Sequence, residues 1–259
     1  MGSILAIVNQ KGGVGKTTTV VNLAASLALG GRKILVVDSD PQCNSTSGLG
    51  IARESVERGI YDVYSERSSI GDVIVKTEVN FLHIIPSTID LLAAEVELVG
   101  KEGREYILKN ALKSIGDDFE YIFIDCPPSL GLLTLNALVA AEAVIVPVQC
   151  EYYSLEGLGL LTRTIKLVRN SFNPDLYIKG IVLTMFDSRN SLSHQVAREV
   201  RTHFGDIVFE TVIPRNVVLG EAPSYGKPVL LYDYKSRGAQ SYLALAKEML
   251  HENGAGQRA

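Results

Sequence analysis

Short apolar runs alternate with longer amphipathic segments along most of the chain. The runs ILAIV (4–8), KILVVD (33–38), LHIIP (82–86), YIFID (121–125), AVIVPV (143–148), IKGIVLTM (178–185) and IVFETVI (207–213) are mostly apolar at successive positions. Strands covered by helices on both sides have this character, because neither face meets water. Between them, apolar residues recur at helical spacing over 16–29, 88–100, 104–115, 130–141, 154–171, 191–203 and 239–252. The alternation predicts an α/β fold, a mostly parallel twisted sheet flanked by helices on both faces. The stretch 41–80 carries serines, glycines and scattered charges, and reads as surface loop with short helices. No internal repeat, low-complexity tract or linker divides the chain. Residues 1–253 are therefore expected to form a single domain, with 254–259 as a flexible tail.

Composition narrows the setting. A chain of 259 residues that is 46% hydrophobic can bury a substantial core. No run approaches the roughly 18 apolar residues of a membrane span, and the N-terminus has neither a basic stretch nor a cleavage site, so a cytoplasmic location is expected. The three cysteines, Cys43, Cys126 and Cys150, are odd in number and lack CxxC spacing, which disfavours a disulfide framework or a zinc site. A net charge of -4 rules out a uniformly basic surface but leaves room for a local basic patch.

The chemistry begins after the first strand run. NQKGGVGKTTT (9–19) almost fits the phosphate-binding pattern G-x-x-x-x-G-K-[ST], with Gln10 at the first glycine position and an additional lysine, Lys11, after it. Between a strand and a helix, the backbone N–H groups of Gly12, Gly13, Val14 and Gly15 can close around phosphate oxygens, helped by the partial positive charge of the helix N-terminus. Lys16 should reach the β- and γ-phosphates, the Thr17 hydroxyl can bind Mg²⁺, and Thr18 is placed to meet the α-phosphate. Two further strands end on acids: YIFIDCPP on Asp125, and KILVVDSDPQ on Asp38 and Asp40, which lie two residues apart on the same side of an extended chain. Acids at such positions also cap turns. Three of them beside a phosphate loop favour a metal reading, with Asp125 and Asp38 supporting Mg²⁺ and Asp40 orienting the attacking water.

KGGVGKTT, DSDPQ and DCPPSLG together resemble the deviant Walker-type ATPases of the MinD/ParA superfamily. The similarity to its ParA/Soj partitioning branch continues through PVQCEYYSLEGL, LTMFDSRN, VIPRN and EAPSYGKP, and so covers nearly the whole chain. It implies an ATPase that uses ATP and Mg²⁺ and forms an ATP-bound sandwich homodimer. In such a dimer Lys11 crosses to the partner's phosphates, joining Lys16 and Asp40 as a catalytic group. A side chain at Gly12 would stand between the two facing loops. Pro214 and Asn216, with Met185, are the adenine-side candidates the resemblance implies; Pro214 alone could also simply end a strand.

The resemblance further implies nonspecific binding of double-stranded DNA by the dimer, nucleoid association, and a ParB-type centromere-binding partner that stimulates hydrolysis and resets the protein to monomer. Such a protein segregates a chromosome or a plasmid. Arg189 matches a DNA-linked position, and Arg198 and Arg201 share a helix face at i, i+3 spacing. Val218 departs from the pattern, since close relatives often carry an arginine there; Lys235 and Arg237 could compensate. A membrane-positioning ATPase like MinD is the alternative, and would need a basic amphipathic C-terminal helix. Here the stripe Ala239, Tyr242, Leu243, Ala246, Met249 and Leu250 lies beside a mixed polar face, as in a helix that packs on a core. An iron–sulfur ATPase would need bridging cysteines that Cys126 and Cys150 do not match in context.

Overall fold

A computed structural model describes residues 2–152 and 154–255. In chain order the elements are β1 (Ser3–Ile7), α1 (Lys16–Leu29), β2 (Ile34–Asp38), α2 (Asn44–Gly48), α3 (Ile60–Tyr64), β3 (Val75–Lys76), β4 (Leu82–Ile85), α4 (Leu91–Glu97) and α5 (Ile107–Leu112). They continue with β5 (Tyr121–Asp125), α6 (Leu132–Ala140), β6 (Ala143–Gln149), α7 (Ser154–Ser171), β7 (Tyr177–Thr184), α8 (Ser191–Phe204), α9 (Val218–Glu221), α10 (Val229–Tyr232) and α11 (Arg237–Ala255). The seven-stranded sheet has the order β3-β4-β2-β5-β1-β6-β7, and every pairing is parallel except the short β3–β4 edge. The sheet is the α/β architecture expected from the alternating pattern. Residues 256–259 of the expected tail lie outside the described residues.

Period-2 geometry sorts the strand side chains into two cores. Ala6, Val37, Ile124 and Val146 face one layer, with α3 to α8, while Leu5, Val36, Phe123 and Ile145 face the other, with α1 and α11. The C-terminal helix belongs to this second layer. Its Ala239, Tyr242, Ala246 and Met249 are buried, Leu243 and Leu250 are partly so, and the Tyr242 hydroxyl lies 3.2 Å from Thr19 Oγ1 on α1. The stripe is thus already covered by protein. Among the described residues no helix is long and apolar enough to cross a membrane.

One expected strand is absent. IVFETVI (207–213) follows the outer edge of β7 but touches it only at separated points: Phe209 N–H donates to Ile181 O at 3.0 Å and Ile213 N–H to Leu183 O at 2.8 Å. The cause lies on α11. The Glu248 carboxylate accepts the intervening N–H groups, from Glu210 at 2.6 Å and Thr211 at 3.0 Å, so they do not point into the ladder. Gly180 on β7 completes the arrangement, because a Cβ there would run into the buried ring of Phe209. The seventh strand is instead β3, two residues in the segment read as loop, and too short to show an alternation in sequence.

Charge-assisted bonds to the backbone are stronger than neutral ones, and these are partly exposed. Glu248→Ala should therefore cost about 1–2 kcal/mol in urea denaturation. Amide hydrogen exchange at Glu210 and Thr211 should rise with it, while β1 and β5 stay protected.

Candidate nucleotide site

Strand register builds the site. Ile7, Asp125 and Asp38 are lateral neighbours on β1, β5 and β2, so the phosphate loop leaves β1 directly beside two carboxylates at the carboxyl end of the sheet. Ligands of open α/β sheets bind at this end. The loop is fixed at both ends. Asn9 Nδ2 donates to Pro147 O at 2.7 Å while its Oδ1 accepts Lys11 N–H at 3.0 Å, and Thr184 Oγ1 donates to Val14 O at 2.8 Å. Gly13 and Gly15 have φ of 72° and 91°, a region that side chains disfavour. Gly12 is different: its φ is not positive, and a Cβ there would meet nothing within 4 Å.

Asp38 and Asp125 are fully buried. Asp38 Oδ2 accepts Thr46 N–H at 2.8 Å and Thr46 Oγ1–H at 2.6 Å, and its Oδ1 accepts Asp40 N–H at 3.2 Å. Asp125 Oδ2 accepts Ser45 Oγ–H at 2.7 Å, whereas its Oδ1, also sealed from solvent, has no partner. Burial raises the pKa of both carboxyls. Repulsion from Asp125 adds to the rise at Asp38, and the Ser45 and Thr17 hydroxyls oppose it at Asp125. Two buried acids side by side favour a cation close by. Asp40 is nearly buried and accepts Gln42 N–H at 2.9 Å.

The two lysines stand in different surroundings. Lys16 is buried, with Nζ 3.3 Å from Lys11 O; desolvation lowers its pKa against the pull of Asp125. Lys11 is exposed, and its Nζ lies 3.0 Å from Glu151 Oε2. Beyond the loop, a cleft of about 300 Å³ is lined by Thr18, Met185, Pro214, Asn216, Leu219 and Tyr242. Thr18 and the three adenine-side candidates thus share one cavity. Asn216 Oδ1 is buried there without a partner. Pro214, having no N–H, is passed over by the chain pairing, which uses Ile213 O and Arg215 N–H around it. A larger groove of about 840 Å³ lies away from this chemistry, and its Lys101 is paired with Glu66 at 2.8 Å.

Among the described residues no three His, Cys, Asp or Glu side chains converge as a metal cage. Magnesium held by a hydroxyl, water and phosphate oxygens needs no such cage. The three cysteines are free and buried, and burial raises their thiol pKa values. The arginines do not form one uniform patch. Arg189 is exposed and bound to both oxygens of Asp187, at 3.1 Å each, and Arg198 is exposed on α8. Arg201 instead donates to the carbonyls of Phe209 and Glu210, both at 3.1 Å, and so helps to hold the irregular edge segment. Val218 packs at the edge of the second core. The sequence reading missed Ser45, Thr46 and Glu151, which bind Asp125, Asp38 and Lys11. The only signal for the first two was a run of hydroxyl residues, STS (45–47), shortly after DSDPQ.

A protein-family model described as an AAA domain matches residues 2–178. The sporulation initiation inhibitor protein Soj of Bacillus subtilis is 56% identical over 249 residues, covering 96% of this chain and 98% of the relative. The chromosome partitioning protein ParA of Myxococcus xanthus is 55% identical over 250 residues, covering 96% and 88%. Among solved structures, cobyrinic acid a,c-diamide synthase from Mycobacterium smegmatis, with bound ADP and magnesium, has a TM-score of 0.87 at 39% identity and covers 99% of this chain and 97% of its own. Identity over nearly the full length, together with the phosphate loop and the two acid-ended strands, establishes that the chain belongs to the ParA/Soj family of chromosome-partitioning ATPases.

Proposed function

We propose that this chain hydrolyses ATP with Mg²⁺, and that ATP switches it between a monomer and a DNA-bound sandwich dimer. The observation that carries the ATPase reading is the sealed, unpartnered Asp125 Oδ1 beside buried Asp38 and below the phosphate loop. Magnesium, when bound, supplies positive charge to the phosphate oxygens and relieves this acid pair. Thr17 would hold it directly, and Asp38 and Asp125 directly or through water. Lys16 moves its ammonium from the Lys11 carbonyl to the β- and γ-phosphates, a stronger acceptor. Asp40 orients water toward the γ-phosphate, and the loop N–H groups hold the phosphate in line. Asn216 Oδ1 is free to accept the exocyclic amino group of adenine in the cleft beside Met185 and Pro214.

Two features support a role for a second subunit. Among the described residues nothing stands within 4 Å of a Cβ at position 12, so the fold of the subunit does not itself call for a glycine there. Lys11 is held only by an exposed pair, of a kind worth about 1 kcal/mol or less, so exchanging Glu151 for a partner's phosphate costs little. Its arrival would neutralise charge on the transferring phosphoryl group and link hydrolysis to dimerisation. DNA binding by the dimer draws on Arg189 and Arg198, with a lesser share from Arg201, and a ParB-type partner stimulates turnover and release. The identity to partitioning proteins supports this reading over a MinD-like membrane role, as does the burial of the α11 stripe.

DNA binding measured with ATP, ADP and no nucleotide at two salt concentrations tests the switch. Binding should require ATP and weaken with salt; ATP-dependent attachment to liposomes without DNA binding would overturn it. Asp40→Ala should bind ATP, lose at least about a hundredfold in turnover and remain dimeric on DNA, and full turnover by this variant would remove Asp40 from its role. Gly12→Val should retain fluorescent ATP-analogue binding while staying monomeric in ATP by light scattering. Asn216→Ala should weaken ATP binding by about tenfold, one lost hydrogen bond, with little change in thermal stability because Oδ1 has no bond to lose within the protein.

A further inference from the structure

The helix α4 is apolar on two opposite sides. Leu91, Ala94 and Leu98 pack into the core layer shared by α3 to α8 and are at most 4% exposed. On the other side Ile89, Leu92, Val96 and Val99 stand in solvent, at 64%, 54%, 74% and 64% exposure. Their numbers step by three, four and three, the a/d spacing that lines side chains up along one helix face. Single turns carry the line past both ends of α4: Leu92 N–H donates to Ile89 O at 3.1 Å, and Val99 N–H to Val96 O at 3.2 Å. A helix that is apolar all round is ordinarily covered all round, and here the subunit covers one side. Exposed apolar residues scattered singly need no explanation, whereas a contiguous group of them marks a contact surface. Among the described residues the much longer α7 exposes two large apolar side chains, Leu160 and Leu167, where α4 and its end turns expose four.

The rim of this stripe is acidic. Asp90, Glu95 and Glu97 lie on the same element, with Asp90 and Glu97 exposed. Glu97 accepts the Tyr61 hydroxyl at 3.1 Å, which fixes the carboxylate without neutralising it. The basic groups of the neighbourhood already have partners within the chain. Lys101 pairs with Glu66 at 2.8 Å, Arg104 with Glu105 at 3.2 Å and with the Val99 carbonyl, and Arg67 lies over the ring of Tyr61. An occupant of the stripe therefore needs an apolar line bordered by positive charge. A second copy of α4 lacks it, because packing the helix on itself brings two sets of carboxylates together. The same rim repels an anionic lipid surface.

We infer that α4 is a docking face for a basic amphipathic helix of another protein, with the apolar side of that helix seated on Ile89, Leu92, Val96 and Val99 and its lysines or arginines against Asp90 and Glu97. The face adjoins the two acid-bearing strands. Ser87, at its entrance, donates its N–H to Thr46 Oγ1 at 3.0 Å, and Thr46 binds Asp38. Farther along, Glu95 abuts the loop that follows Asp125, since a Cβ on Gly131 would run into the Glu95 carboxylate. An occupant thus rests on an element in contact with both loops of the nucleotide site.

The test uses the full chain and two synthetic amphipathic helices, each with leucine at a and d, one carrying lysine and the other glutamate at e and g. Fluorescence anisotropy in ADP should show saturable binding of the lysine peptide and at least about tenfold weaker binding of the glutamate peptide. Leu92→Gln combined with Val96→Gln should weaken the lysine peptide by about tenfold or more at unchanged Tm, because both side chains are exposed. Asp90→Lys combined with Glu97→Lys should reverse the preference between the peptides. Equal binding by the wild type and the Leu92→Gln, Val96→Gln variant, or no preference between the two peptides, would overturn the proposal. Dimers in ADP that this variant abolishes in light scattering, or loss of peptide binding when ATP drives dimerisation, would give the face to a second copy instead. Attachment to phosphatidylserine vesicles that the same variant abolishes would give it to a membrane, and would equally overturn the proposal.

Discussion

Two carboxylates, Asp38 and Asp125, lie side by side on adjacent parallel strands, fully buried from solvent, and much of the architecture near the nucleotide site answers to that placement. Parallel register sets them level at the carboxyl end of the sheet. Ser45 and Thr46, from the short α2, supply hydroxyl and amide donors that make the arrangement tolerable, and Lys16 supplies charge from the opposite side. A buried acid pair that its hydroxyl and amide donors stabilise only in part favours a cation beside it. The phosphate loop, the acid-bearing loop and the head of α1 converge on the same few ångströms because β5 lies between β1 and β2.

The sequence made much of this legible. The strand ends on Asp38 and Asp125 could be read because a buried parallel strand is an unbroken apolar run, and its first polar residue marks the carboxyl end. The glycine-rich turn could be read because its spacing answers to backbone geometry. Helix limits at 16–29 and 154–171 coincide with α1 and α7 for the same kind of reason. What stayed hidden depended on tertiary partners. IVFETVI has every local property of a strand, yet Glu248, 38 residues beyond Glu210, takes its amide groups. Arg201 has the spacing of a surface patch, yet the carbonyls of that displaced segment draw it in.

The site also separates two meanings of glycine within one loop. At positions 13 and 15 the backbone itself demands it, and substitution would strain the fold. At position 12 the backbone makes no such demand, since φ is not positive and a Cβ would meet nothing within 4 Å, and a sequence motif alone cannot distinguish the two cases. Lys11 and Lys16 divide in the same way, one exposed on the rim and one buried under the loop, although they are five residues apart in a single motif.

The irregular course of 207–213 has a consequence for assembly. An outer strand such as β7, left bare, would offer a row of unpaired amides and carbonyls to any neighbouring chain. Here Phe209 and Ile213 occupy parts of that row, and Glu248 turns the amides between them away. At the opposite margin β3 spans only two residues. Neither margin of the sheet is a good template for adding strands, so crowding many copies of the chain together would not by itself drive them into open-ended β-stacks.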